Sequence, residues 1–295
     1  MCAVNCLGDA LMVGKLQLGI AGIAWATVCA QYSAALVLLL CWARRAESPF
    51  QIKRLPTLQE LRALSSDLGV LWGISTLRTL CYSCVRVGAA ALGALPCAAY
   101  TTLYAVWMPL SFVALPLRQS AMVFLPPFLE GAAKPPAELT DVNARKWAKL
   151  NAEGRQLAFV LMALGSVFGL IAAIVVAIMA LNFPWIFTRD AAVWPLVQST
   201  ALPAFAALSV SGVMEISEGI LLIGKPADNV FLLRSMVTTL LLVNVALQTS
   251  HHMSWGLSGV WWALVGFYLL RAVQPVSHII RHTLQARVDE IPDAH

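Results

Sequence analysis

Residues 156–181 read QLAFVLMALGSVFGLIAAIVVAIMAL, an uninterrupted run without one charged side chain. An α-helix rises only ~1.5 Å per residue, so ~20 apolar residues are what it takes to cross a hydrocarbon core ~30 Å thick. This stretch exceeds that length, and it is too uniformly apolar to be the one-sided helix of a soluble domain. The whole chain agrees with it: 59% of residues are hydrophobic, 12% are charged and the mean hydropathy is +0.75. The expected fold class is all-α, a polytopic membrane helical bundle.

Working outward, six further spans fall near 20–43, 67–92, 98–126, 194–222, 229–249 and 256–277. An eighth apolar stretch, 1–13, is too short to cross. Lysine and arginine occupy every second gap. The gap 44–66 carries Arg44, Arg45, Lys53, Arg54 and Arg62, and 127–155 carries Lys134, Arg145, Lys146, Lys149 and Arg155. Lys225 lies in 223–228, and Arg281 and Arg287 in the tail, whereas the alternate gaps 93–97, 182–193 and 250–255 hold Arg189 alone. Thirteen against one, with Lys15 the only addition to the poor side, sets the orientation: the basic gaps and the C-terminus face the cytosol or its organellar equivalent. The net charge of +5 is therefore an orientation signal, and nucleic acid is excluded as a partner. The lipid bilayer is the first partner.

Met1 opens directly into apolar sequence, without a basic leader or a cleavage-like site, so the chain reads as beginning inside a helix. In 44–66, Pro49 and Pro56 break any helix, Thr57 to Glu60 form a capping box, and Leu58, Leu61 and Leu64 recur at helical spacing, which predicts a short amphipathic helix that runs along the membrane surface into the second span. The stretch Thr140 to Gln156, with Trp147, Leu150 and several basic residues, is likewise expected to lie on an anionic surface. The gaps leave no room for a soluble catalytic domain. There is also no Walker A loop, no G-x-G-x-x-G and no nucleophile elbow, so the chain reads as a transporter rather than an enzyme, with no catalytic residue, metal or cofactor. Cys81 and Cys84 form a C-x-x-C inside a span without a second pair or a nearby histidine, and His251-His252 lacks a third ligand; both read as packing or interface residues.

Charge inside a span costs at least ~2.5–3.5 kcal/mol on insertion scales, so the charged residues that remain there face a cavity or a partner. Five are singled out: Arg78, Arg86, Arg118, Glu215 and Glu218. Arg78 and Arg86 lie about 80° apart around the helix and about 12 Å apart along it, and the two glutamates are i, i+3 neighbours on one face. Two readings stand side by side. Either the arginines line an aqueous cavity that attracts an anionic or aromatic-acid substrate, with the glutamates balancing them, or the charges form an internal ion pair that lets the bundle pack. Arg118, about two turns from a basic gap, is expected to snorkel to the interface. Pro109, Pro116 and Pro203 each remove a backbone donor and are candidate kinks, and Pro109 and Pro116 share a span with Gln119.

Several strings resemble a known family. Asn5-Cys6-Leu7-Gly8-Asp9, the run Leu18 to Val28 and Gln31-Tyr32 are similar to the end of the fifth and the whole sixth helix of the multidrug and toxic compound extrusion (MATE) family. Arg118-Gln119-Ser120-Ala121 through Pro127 and Gly131 resembles its eighth helix, and Phe187-Thr188-Arg189-Asp190 the turn before its tenth. Glu218-Gly219 resembles the middle of the tenth, and Gly256 to Trp262 the start of the twelfth. The plant and algal branch of the DETOXIFICATION type, which includes plastid-envelope members, is the most similar. The resemblance implies two six-helix lobes that rock between inward- and outward-open states and export organic compounds in exchange for protons or sodium ions. On that basis 1–43 is the end of the N-terminal lobe, 44–66 the inter-lobe linker, 67–280 the C-terminal six-helix lobe and 281–295 a polar tail. The chain is then N-terminally truncated and needs the missing lobe for transport. The other reading is a half-transporter that acts as an interaction protein or has no function.

The resemblance also places the protein in a plastid envelope or in the plasma or vacuolar membrane. Two features depart from it. The seventh-helix stretch Leu71 to Arg78 has no acidic residue, and the usual acid of the tenth helix falls near Ser211, a turn or two before Glu215 and Glu218.

Overall fold

The computed structural model describes residues 2–44, 57–128, 141–224 and 226–284. The prolines and basic residues expected to form the linker at 45–56, the Pro135-Pro136 pair, Lys134, Gly131, Lys225 and Arg287 lie outside the described residues. Among the described residues every regular element is helical. Seven helices are long and apolar enough to cross a membrane: Gly19–Cys41, Leu68–Ala91, Ala94–Phe128, Ala152–Asn182, Ala201–Leu222, Ala227–His252 and Gly256–Arg281. Six fall within about four residues of the expected spans, while the one expected at 194–222 begins only at Ala201, residues Trp194–Ser199 forming a separate short helix, and the protein is an integral, multi-pass membrane protein.

Contacts divide the chain into two units, Met1–Arg62 and Ala63–His295. In the first, α1 (Cys2–Asp9) and a π-helical turn (Ala10–Lys15) fold back on α2 (Gly19–Ala43). The reversal runs through Gln17 and Gly19, both at positive φ (51° and 54°). Gly8 lets α1 come close, since a Cβ there would stand 2.9 Å from that of Ala26.

The second unit holds the remaining helices. α3 (Leu58–Ala91) leads into it, and a left-handed Gly93 (φ 111°) turns the chain directly into α4 (Ala94–Ser111). The single 3₁₀ turn Phe112–Ala114 separates α4 from α5 (Leu115–Phe124). Then follow α6 (Asp141–Asn182), a 3₁₀ turn at Pro184–Ile186, the short α7 (Trp194–Ser199), α8 (Ala201–Leu222), α9 (Pro226–His252) and α10 (Gly256–His278). A π-helical turn, Ile279–Leu284, closes the described chain.

α8 is the axis of this unit. Of its most apolar window 67% is buried within the protein, against 61% for α10, 28% for α9 and 17% for α3, whose outer faces are left to lipid. α6 reaches α8 through glycine: a Cβ on Gly212 would sit 1.9 Å from the Gly165 carbonyl oxygen, so the two backbones touch. In a bilayer, where lipid tails are as apolar as leucine, such small-residue seams are a main source of helix association. On another side of α8 a block of rings, Tyr100, Tyr104 and Trp107 of α4 with Trp261 and Tyr268 of α10, interlocks edge to face and stacked, and Trp107 Nε1 donates to the Ala204 carbonyl at 2.9 Å.

The amphipathic stretch expected to lead into the second span forms the first turns of α3, and residues 141–156 form those of α6; the two helices run unbroken for 34 and 42 residues. Between Leu58 and Ala91, and between Asp141 and Asn182, no proline interrupts the hydrogen-bond ladder, and a helix bends sharply only where something does.

Prolines break the helices where they remove a donor. The residue four before Pro116 is Phe112, where the 3₁₀ turn begins, and the residue four before Pro203 is Ser199, where α7 ends. In each case the ring and its missing N–H disrupt the carbonyl four residues upstream. Pro203 itself stands in the first turn of α8, so the bend it produces lies at Thr200 and not at its own position. Pro109 sits inside α4 without a break at Ala105.

Candidate functional site

Glu215 and Glu218, one turn apart on α8, are both buried, at 2% and 1% exposure. An ionised carboxylate in so dry a place must be paired, because desolvating it alone costs several kcal/mol. Three helices supply the partners. Arg78 of α3 donates from Nη1 to Glu215 Oε1 at 3.3 Å and from Nη2 to Glu218 Oε2. Arg118 of α5 donates from Nη1 to Glu215 Oε2 at 2.7 Å. Arg271 of α10 donates from Nε to Glu218 Oε1 at 2.7 Å, with Nη2 on the same oxygen and Nη1 on Ser235 Oγ of α9. Five helices thus meet at one hub of three guanidinium groups and two carboxylates, which leaves one positive charge in excess.

That excess faces a cavity of about 440 Å³. Arg78, Arg86 and Arg118 line it together with Tyr82, Tyr104 and Phe112, while neither glutamate does. Its wall is therefore cationic and aromatic, with the carboxylates behind the arginines. Tyr82 is fixed by a hydroxyl pair with Tyr268 at 2.9 Å. Such a surface attracts anions, and it suits guanidinium recognition of a carboxylate or phosphate.

The residues singled out from sequence divide as follows. Arg78, Glu215 and Glu218 come together in the hub. Arg86 lines the same cavity but stands apart, its guanidinium 4.9 Å over the Tyr104 ring. Gln119 is exposed and outside the hub.

Arg118 does not snorkel. It follows the Pro116 break, and its side chain lies over Gly219, where a Cβ would come 2.7 Å from Arg118 Cγ, so the missing side chain on α8 leaves the room through which it reaches Glu215. The reading of five charges also passed over Arg271, the most buried of all at 0% exposure, and Arg234. The rule that found the others, a charge inside a span, would have found both. Arg234 is exposed about two turns into α9. Cys81 is buried and Cys84 half-buried, both as free thiols on α3.

No protein-family model matches the sequence. The chain is 26% identical over 279 residues to the Arabidopsis thaliana protein DETOXIFICATION 47, chloroplastic, which covers 92% of this chain and 48% of that protein. Two solved structures of the MATE transporter VcmN of Vibrio cholerae share the fold: the bent form, with a TM-score of 0.66 and 19% identity over 97% of this chain and 60% of that one, and a mutant form, with 0.70 and 20% over 96% and 61%. The chain spans about half the length of the curated relative it matches. The resemblance to the MATE family stands on sequence and on fold alike.

Proposed function

We propose that the protein is a membrane efflux transporter of the multidrug and toxic compound extrusion type, and that this chain forms its second six-helix lobe together with the helix that precedes the inter-lobe link. The observation that carries the reading is the arginine-lined cavity set over two buried, arginine-paired carboxylates, in a lobe whose fold is that of a MATE transporter. Alternating access needs two lobes around one site, so a partner lobe completes the pathway.

The substrate is a small organic anion. Guanidinium groups of Arg78 and Arg118 form the deep wall against which its acidic group docks, and Tyr82, Tyr104 and Phe112 take its apolar part. A coupling cation, proton or sodium ion, acts on Glu215, whose contact with Arg78 at 3.3 Å is the longest in the hub. Neutralising Glu215 frees Arg118 for the substrate, and the reverse step returns it. The membrane is the plastid envelope, by analogy with the chloroplastic relative.

The test is transport by the two-lobed protein in proteoliposomes loaded with an organic anion, an organic cation or a neutral analogue. The reading expects anion efflux driven by an opposing proton or sodium gradient. Gradient-driven efflux of the cation in preference to the anion would overturn the substrate assignment.

A further inference from the structure

Arg78, Arg118 and Arg271 each hold a glutamate, and Arg86 alone of the arginines that line the cavity holds none among the described residues. Its guanidinium lies with one face 4.9 Å over Tyr104 and within reach of the Tyr100 and Tyr104 hydroxyls, and with five N–H donors it keeps some for a further acceptor. It is also shared between two spaces. Besides the cavity of the hub it lines a second one of about 420 Å³, with Tyr100, Thr101, Tyr104 and Met108. Tyr100 stacks on Tyr104 at 5.3 Å and is 2% exposed, and its buried hydroxyl has no acceptor, since its polar neighbour is the Arg86 guanidinium, which can only donate. A buried hydroxyl whose hydrogen has no acceptor is rare enough to ask what would satisfy it.

We propose that Arg86 and Tyr100 form a second anion-binding subsite, about 12 Å along α3 from the Arg78–Arg118 pole, which takes the acidic group of an amphiphilic organic anion. Arg86 supplies charge and N–H edges, the Tyr100 hydroxyl donates to the same group, and Tyr104 and Met108 contact the apolar part. Arg86 lies toward the Ala91 end of α3, the end that the charge pattern turns away from the basic face. The subsite is therefore the outer station of the pathway, while Arg78 and Arg118 are the inner one. This rests on the transport reading for its purpose but not for its existence, since binding needs this lobe alone.

The experiment is equilibrium dialysis of the chain in nanodiscs of zwitterionic lipid, with biphenyl-4-carboxylate and its neutral isostere biphenyl-4-carboxamide as probes and empty nanodiscs correcting for partition. The wild-type chain is expected to bind the carboxylate at least tenfold more tightly than the amide. Arg86→Gln removes that preference, Arg86→Lys keeps part of it, and Tyr100→Phe weakens carboxylate binding severalfold with little effect on the amide. Arg86 carries no buried carboxylate, so its variants keep the fold, as circular dichroism and thermal unfolding would record.

Equal binding of the two probes by wild type, or an undiminished preference in Arg86→Gln, overturns the subsite. Loss of the carboxylate signal when phosphatidylglycerol is added to the nanodisc keeps the subsite and assigns it to a lipid headgroup. If Arg86-dependent binding holds while the two-lobed protein moves no anion, the transport reading falls and the subsite stands.

Discussion

Arg118 Nη1 meets Glu215 Oε2 at 2.7 Å across the interface of α5 and α8, from just beyond a proline break and over a glycine that leaves it room. With both side chains mostly withdrawn from water, 19% and 3% exposed, the pair is worth more than a surface bridge yet remains open to the cavity. In the proposed transport cycle it is the link that breaks and re-forms.

Gly219→Ala tests how that pair is made. A methyl group here would stand 2.7 Å from Arg118 Cγ, and a flexible side chain yields more easily than backbone. The expected result is a loss of stability of no more than about 1–3 kcal/mol with a severalfold fall in transport, read as thermal unfolding in detergent beside efflux from proteoliposomes. A variant with full activity would show that Arg118 need not occupy its observed position.

Gly212→Ala tests the seam. The added Cβ would meet the Gly165 carbonyl at 1.9 Å, backbone against backbone, so the helices must part. Its loss of stability should exceed that of Gly219→Ala. Gly69→Ala on α3, where a Cβ meets nothing within 4 Å, should be neutral or gain up to about 1 kcal/mol from helix propensity. Thermal unfolding of the three variants should rank in that order.

Arg271→Met strips Glu218 of its fully buried partner. Removing one member of a buried pair costs about 3–5 kcal/mol, whereas replacing both with apolar groups is often close to neutral. A double-mutant cycle with Glu218→Met should therefore recover much of the loss. If the double variant is as unstable as the sum of the singles, the two residues do not act as a pair.

Pro116→Ala restores a donor to the Phe112 carbonyl, and the 3₁₀ turn should become continuous helix. Amide exchange at residues 112–116 should slow. The re-aimed α5 should then weaken the Arg118–Glu215 contact and transport with it. Unaltered exchange would mean that packing and not the proline holds the bend.

Much of the architecture was legible in the sequence, because a bilayer leaves few options: each long apolar run had to be a helix. The exact starts of α3 and α6 were less legible, since amphipathic periodicity describes a helix equally well on the surface or continuing out of a span. The hub was half legible. Arg78, Glu215 and Glu218 announce themselves as charges in apolar sequence, but their pairing depends on which faces of α3 and α8 meet. Arg118 was misjudged because its distance from the basic gap said nothing of Gly219, a residue on another helix. Arg271 shows the opposite failure, a signal present in the sequence and passed over. Tyr100 could not have been found, since a hydroxyl that lacks an acceptor is visible only once its neighbours are in place.

The most direct measurement is gradient-driven efflux of an organic anion by the two-lobed protein in proteoliposomes, wild type beside Glu215→Gln, with the reconstituted amount and the unfolding temperature held comparable. The account predicts efflux from wild type and its loss in the variant, because the amide cannot carry the charge that holds and releases Arg118. Efflux from Glu215→Gln equal to wild type would contradict it and leave the hub as a device for packing alone.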